Sequence, residues 1–330
     1  MVKGIYLLDT EPFNLIYGPD ERQEIEKLVD IYAPQQTRDS VAADPGVLTQ
    51  AEVILSGWGM AVMDEAFLKN TPALKTVFYG AGSIRGLVTD AFWQRDIPIV
   101  SAYAANAVPV VEFTLSQIFF CLKRGWYYAL AIKKEGKYPP RGIVPGANGS
   151  IVGLISLGMI GRMVAHRLQT FDVKVIAYDP FVRQEEAAEL KVELCSLDEV
   201  FRRSDVVSLH TPWLKETEGM ITGAHMAAMK PGAAFINTAR GAVVREAEMI
   251  QVLEQRPDLY AVLDVTYPEP PAPGSPLYTL PNVILTPHIA GPMGAECRRM
   301  GRLVVDELKR YLKGEPLQWA ISRQKAALLA

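Results

Sequence analysis

Cysteine is scarce in this 330-residue chain. The three that occur, Cys121, Cys195 and Cys297, lie far apart and form no Cys-x-x-Cys pair. That argues against a disulfide framework and suits a reducing, cytoplasmic setting. Histidine is sparse as well: His166, His210, His225 and His288 form no close cluster, so no metal site is expected. Basic excess is missing, since the net charge is -3, and nucleic-acid binding needs a basic face. No run reaches the roughly 18 apolar residues of a membrane span. The stretch from Met1 to Asp9 lacks the long apolar region and small-residue cleavage site of a signal peptide, and no leader is expected. We therefore expect neither a nucleic-acid nor a membrane partner. What is present, 49% hydrophobic and 22% charged residues, suits about two soluble domains, each with its own core.

The first hundred residues alternate short apolar runs with helical stretches. Residues 5–8, 53–56, 75–79 and 97–100 read as strands, and 21–29, 64–70 and 89–94 as helices. This alternation predicts a parallel α/β unit. Two strands run into Gly57-Trp58-Gly59-Met60 and Gly80-Ala81-Gly82-Ser83. Ligands in such sheets bind beyond the strands' carboxyl ends, so both loops are candidates; taken singly, either could merely turn the chain. Residues 106–124 predict a long apolar helix with Asn106 as N-cap and Pro109 in its first turn. Being apolar nearly all round, it should be buried between domains or against another subunit. Residues 139–149, rich in Pro and Gly, read as a linker loop.

The stretch from Ser150 to Arg162 organises the second half. A buried strand, 151–155, enters the turn Ser156-Leu157-Gly158-Met159-Ile160-Gly161, and a helix follows. Backbone N–H groups at such a helix start face the phosphates of a dinucleotide. Asp179 lies 18 residues past Gly161, near the spacing of the carboxylate that binds the adenosine ribose. A carboxylate there repels a 2′-phosphate, which favours NAD over NADP; nearby Arg183 is expected to be solvated. Ser156 stands where the dinucleotide fingerprint has its first glycine. We expect an ordinary strand-end backbone at Ser156, at little cost, with NAD binding intact. Further predicted strands end in polar groups: His210-Thr211-Pro212, Asn237-Thr238-Ala239-Arg240-Gly241, Asp264, and Thr286-Pro287-His288-Ile289-Ala290-Gly291. Tyr267-Pro268-Glu269-Pro270 lies between the last two. Arg, Asp and His sharing one sheet edge is what an active site facing the phosphate turn requires.

The order and spacing of these pieces, with Gly80-Ala81-Gly82 and Asn106 followed by Val111-Glu112, resemble the D-isomer-specific 2-hydroxyacid dehydrogenase family over nearly the whole chain. The resemblance implies two Rossmann-like, doubly wound parallel α/β domains with a cleft between them. Residues 1–103 plus 292–330 would form a discontinuous, flavodoxin-like substrate domain, and 104–291 the NAD-binding domain. It implies a catalytic trio of Arg240, Glu269 and His288. Arg240 would hold the substrate carboxylate as a bidentate fork. His288 would exchange a proton with the reacting oxygen, oriented and charged by Glu269. Trp58 and Met60 would face the substrate tail, and the amides of Ala81 and Gly82 its carboxylate. Gly158, Met159, Ile160 and Gly161 would meet the pyrophosphate and Asp179 the ribose. His210, Thr211 and Pro212 would line the adenine side; Thr238, Ala239, Asp264, His288 and Ala290 the nicotinamide side. His166 and His225 would be structural or solvated.

The resemblance also implies a homodimer and a small 2-oxo or 2-hydroxy acid partner. An apolar wall at Trp58 suits an uncharged tail; a phosphorylated tail would want a cation, for which Arg85 is the nearby candidate. The family's acidic residue after the Gly-Ala-Gly loop is missing here, where Ser83-Ile84-Arg85-Gly86 follows. Phosphoglycerate dehydrogenase and glyoxylate or hydroxypyruvate reductase are the enzymatic alternatives. Formate dehydrogenase fits less, because Glu269 stands where that relative has an amide. A nucleotide-sensing corepressor is the alternative from another class.

Overall fold

The computed structural model describes residues 1–328. Its chain divides into two compact units, Met1–Val108 with Pro292–Ala330 and Pro109–Gly291. The first unit holds a parallel sheet of β1 (Lys3–Leu7), β2 (Asp30–Ile31), β3 (Val53–Ser56), β4 (Thr76–Tyr79) and β5 (Ile99–Ser101). Their order is β2-β1-β3-β4-β5, the flavodoxin-like arrangement, whose switch point lies between β1 and β3. Ile5, Leu7, Ile54, Val77 and Phe78 make its core, with Val304 and Leu308 of the helix Arg298–Leu312 packed on them.

The second unit holds β6 (Ile151–Ile155), β7 (Lys174–Tyr178), β8 (Glu193–Leu194), β9 (Val206–Leu209), β10 (Ala234–Asn237), β11 (Tyr260–Leu263) and β12 (Val283–Leu285). All pair in parallel, in the order β12-β11-β10-β9-β6-β7-β8. This is the doubly wound nucleotide-binding order, switching between β6 and β9. Successive strand residues point to opposite faces. Ala234 and Ile236 therefore join one core with Ile118 and Val164, while Phe235 joins the other with Phe201, Met226 and Leu253. Burial on both faces is why these strands are apolar throughout rather than alternating.

One expectation needs correction. The long helix starts at Tyr103, not after Asn106, and runs to Leu122. Ser101 Oγ accepts from the Tyr103 N–H at 3.2 Å, so Ser101 supplies the contact assigned to Asn106, and Pro109 falls well inside the helix. By length and composition that helix is also long and apolar enough to cross a membrane, although Asn106, Glu112 and Gln117 interrupt its apolar run. Val111, Ile118 and Leu122 are nevertheless packed into the core of the second unit. The two-residue strands β2 and β8 escape sequence reading because two residues carry no periodicity.

Candidate active site

In the first unit, the candidate residues follow β3 and β4. Asp9 N–H donates to Trp58 O at 3.0 Å across the switch point. Gly59 has φ +87°, and a Cβ there would fall 2.0 Å from the Asp9 carboxyl carbon; only glycine permits this approach. Trp58 is half-buried, whereas Met60 is 2% exposed and packs into the core. Of the two, Trp58 keeps the more exposed surface. After β4, Ser101 Oγ donates to the carbonyls of Ala81 (3.0 Å) and Gly82 (2.5 Å). Because peptides are planar and trans, the Gly82 N–H points away from Ser101. Arg85 is exposed.

In the second unit, the turn after β6 is tighter than the sequence suggested. Ser156 has φ +75°, the left-handed region that costs a non-glycine residue about 1–2 kcal/mol. The expectation of an ordinary strand-end backbone is thus overturned. The serine side chain compensates in part: its Oγ shares a 2.8 Å hydrogen bond with Thr211 Oγ1, at the neighbouring end of β9. The helix Met159–Leu168 begins directly after Gly158. A Cβ on Gly161 would lie 2.1 Å from Ser156 O, so this glycine is required for close packing. A Cβ on Gly158 would meet nothing within 4 Å. That open ground in front of a helix start is the cradle a diphosphate needs and a side chain would fill; the residues present fit the cofactor the sequence implied.

Asp179, at the end of β7, accepts from Leu157 N–H at 2.7 Å through Oδ2, and from Phe181 and Val182 N–H at 2.8 and 3.2 Å through Oδ1. The carboxylate is thereby fixed against the glycine turn. His210 is buried, and its Nε2 shares a 3.1 Å bond with Ser208 Oγ. Its Nδ1 is buried without a partner, and burial lowers its pKa to about 4. Its imidazole is therefore held neutral. Pro212 O accepts from Thr217 Oγ1 at 2.6 Å.

The catalytic candidates occupy adjacent strand ends. After β10, buried Asn237 brackets the loop, accepting from Ala239 N–H at 3.0 Å and donating to Arg240 O at 3.1 Å. Thr238 shares a buried 3.1 Å bond with Thr114. Arg240 donates through Nη1 to Ala239 O at 2.7 Å, and among the described residues it has no ion-pair partner. Burial lowers its pKa, opposed by the charge of Glu269. A desolvated guanidinium with donors to spare is a receptor for a carboxylate.

Asp264, after β11, is 2% exposed. It accepts from Thr286 Oγ1 (2.6 Å), Ile289 N–H (2.9 Å) and Ala290 N–H (2.8 Å). It therefore builds the loop that carries His288, a role sequence reading missed. His288 itself has φ +54°, and its N–H donates to Asp264 O and Thr286 O at 3.0 Å each. Nδ1 lies 2.6 Å from Glu269 Oε1, which leaves Nε2 for a reacting oxygen. His225 caps its own helix, with Nδ1 accepting from Thr222 N–H at 3.1 Å; His166 is exposed. Cavities of about 480 and 380 Å³ lie elsewhere, and neither is lined by a candidate residue. The fixed polar groups lie instead at the strand ends.

A glycine turn at the switch point, beside a carboxylate-oriented histidine on the same sheet edge, defines a nucleotide-dependent α/β oxidoreductase type of site. Residues 117–290 match the D-isomer specific 2-hydroxyacid dehydrogenase, NAD binding domain, and the chain belongs to that family. It is 31% identical to D-3-phosphoglycerate dehydrogenase of Archaeoglobus fulgidus over 261 residues, 79% of this chain but 49% of that one. It is 33% identical to (S)-sulfolactate dehydrogenase of Chromohalobacter salexigens over 273 residues, 80% of this chain and 88% of that one. The chain thus spans about half the length of the phosphoglycerate dehydrogenases it matches. Among solved structures, D-mandelate dehydrogenase of Rhodotorula graminis superposes with a TM-score of 0.79 at 25% identity, covering 98% of each chain.

Proposed function

We propose that the protein interconverts a small 2-oxo acid and its D-2-hydroxy acid with NAD(H). The observation that carries this reading is Arg240, desolvated and without an ion-pair partner among the described residues, on the sheet edge that also carries a His288–Glu269 pair at 2.6 Å. Bound NADH supplies the hydride. Arg240 takes the substrate carboxylate and polarises the adjacent carbonyl. Protonated His288 gives its Nε2 proton to the carbonyl oxygen during reduction and takes it back during oxidation. Glu269 orients the ring and balances its positive charge.

In the first unit, the Ala81 and Gly82 amides are the donors assigned to a substrate carboxylate, and Trp58 the side chain assigned to its tail. Met159 and Ile160 amides hold the diphosphate, and Asp179 holds the ribose. His210, Thr211 and Pro212 wall the adenine; Thr238, Ala239, Asp264 and Ala290 surround the nicotinamide end. In this reading residues 1–103 with 292–330 are the substrate domain and 104–291 the NAD domain. A homodimer is supported by Phe120, Leu130, Tyr138 and Ile143, exposed at 41, 36, 86 and 89% on consecutive segments.

The relatives' names span phospho, sulfo and aromatic acids. The deciding experiment therefore follows NADH and NADPH oxidation over 2-oxo acids with apolar, aromatic, phosphorylated and sulfonated tails, with His288→Ala as control. Turnover by wild type that the variant loses supports the reading. NADH binding without turnover on any of them would favour a sensing protein instead.

A further inference from the structure

Asp179 is not the only group that sets charge around the adenosine ribose. Leu157 is bonded on both sides of its backbone: its N–H donates to Asp179 Oδ2 at 2.7 Å, and its carbonyl accepts from Arg162 Nε at 2.9 Å. Arg162 is thus one residue's breadth from the ribose carboxylate. Arg183 follows Asp179 by four positions, at the start of the helix Gln184–Glu189. Both guanidiniums converge on a single carboxylate, Glu186. Its Oε2 takes Arg162 Nη2 at 2.8 Å and its Oε1 takes Arg183 Nε at 3.1 Å. The two arginines hold the Glu186 carboxyl below the usual carboxylate range, Arg162 more than Arg183.

An arginine beside the ribose is the group that accommodates a 2′-phosphate, as a carboxylate is the group that rejects it. This chain carries both, and one glutamate holds the arginines. We propose that Glu186 is a specificity-determining residue for the cofactor: by pinning Arg162 and Arg183 it denies a 2′-phosphate its counter-charges, and so reinforces the rejection by Asp179. The inference rests on the assignment of Asp179 to the ribose and goes beyond it, since Glu186 is assigned no contact with the nucleotide. Arg183, with its side chain 77% exposed, is the more solvent-accessible member. Arg162 is braced on the turn itself and is the fixed one.

The test needs no turnover. NADH and NADPH are titrated against the full chain by quenching of intrinsic tryptophan fluorescence, and ADP-ribose and its 2′-phosphate by calorimetry. The variants are Glu186→Gln, Asp179→Ser, their double, and Glu186→Gln with Arg183→Ala. Glu186→Gln is expected to tighten NADPH about tenfold, the scale of one charge-assisted hydrogen bond, with NADH changed less than about twofold. The gain should be larger in the Asp179→Ser background and should shrink when Arg183 is also removed. Equal changes for both dinucleotides, or none, would overturn the proposal. If wild type binds neither dinucleotide, the Asp179 assignment fails and this inference fails with it. If wild type binds NADH and the NADPH-to-NADH ratio is unmoved by Glu186→Gln, only this inference fails.

Discussion

Nδ1 of His288 lies 2.6 Å from Oε1 of Glu269, although the two side chains are 49 and 42% exposed. Exposed pairs of this kind contribute little to stability. The contact therefore matters for the orientation of the imidazole rather than for the fold. Glu269→Gln should lower kcat for 2-oxo acid reduction about 10²-fold or more, and His288→Ala about 10²–10⁴-fold. Melting temperatures and NADH affinity should barely move. Steady-state kinetics with parallel calorimetry check this, and full activity in His288→Ala would sink the assignment.

Ser156 should be a site of stored strain. Ser156→Gly relieves a left-handed backbone worth about 1–2 kcal/mol but gives up the 2.8 Å bond to Thr211, worth about 1 kcal/mol. A net gain of up to about 1 kcal/mol is expected from chemical denaturation, and Ser156→Ala should lose stability by removing the bond while keeping the strain. NADH binding is expected to survive in both. A Ser156→Gly variant less stable than wild type would contradict the strain reading.

Asp264 should act on chemistry through the loop it builds. Asp264→Ala removes the buried acceptor of three donors, one of them buried and two part-buried, and should destabilise by about 2–4 kcal/mol. Thr286→Val deletes a single donor and should cost about 1 kcal/mol. Both should reduce kcat, because the loop also holds His288 at φ +54°. Thr286→Val, folded and with unchanged kcat, would show that the loop's geometry does not depend on this bond.

Acid should destabilise the second unit through His210. Burial lowers its pKa from 6.5 to about 4, so the unfolded chain binds its proton more readily. The stability of the neutral form is complete above pH 6.5 and is lost as pH falls toward 4. The sum is about 3 kcal/mol. Urea titrations from pH 8 to 4 should show a steeper fall for wild type than for His210→Gln. Parallel curves would refute it.

Much of the site was legible in the chain because its chemistry is local. Gly158 to Gly161, Asp179, and the run from Asn237 to Arg240 each lie on one strand end, and strand ends of a parallel sheet share an edge. Alternation of apolar runs with helical spacing is enough to place them there. The contacts that escaped notice act across sequence. Ser101 fixes the carbonyls of Ala81 and Gly82, Asp264 ties down Thr286, Ile289 and Ala290, and Glu186 gathers Arg162 from 24 residues away. Only the spacing of Arg183 and Glu186, three apart at a helix start, was available as a signal.

Ser156 marks the boundary between the two kinds of information. The sequence by itself determined that a side chain sits where the fingerprint has glycine, and that a sheet, a turn and a helix surround it. It could not determine φ, because the conformation of one residue in a tight turn is decided by what packs on it. Here the close approach of Gly161 to the Ser156 carbonyl, and the Thr211 hydroxyl waiting on the next strand, hold the backbone at +75°. That decision belongs to the tertiary structure, since both partners reach Ser156 only once β6, β9 and the helix have come together.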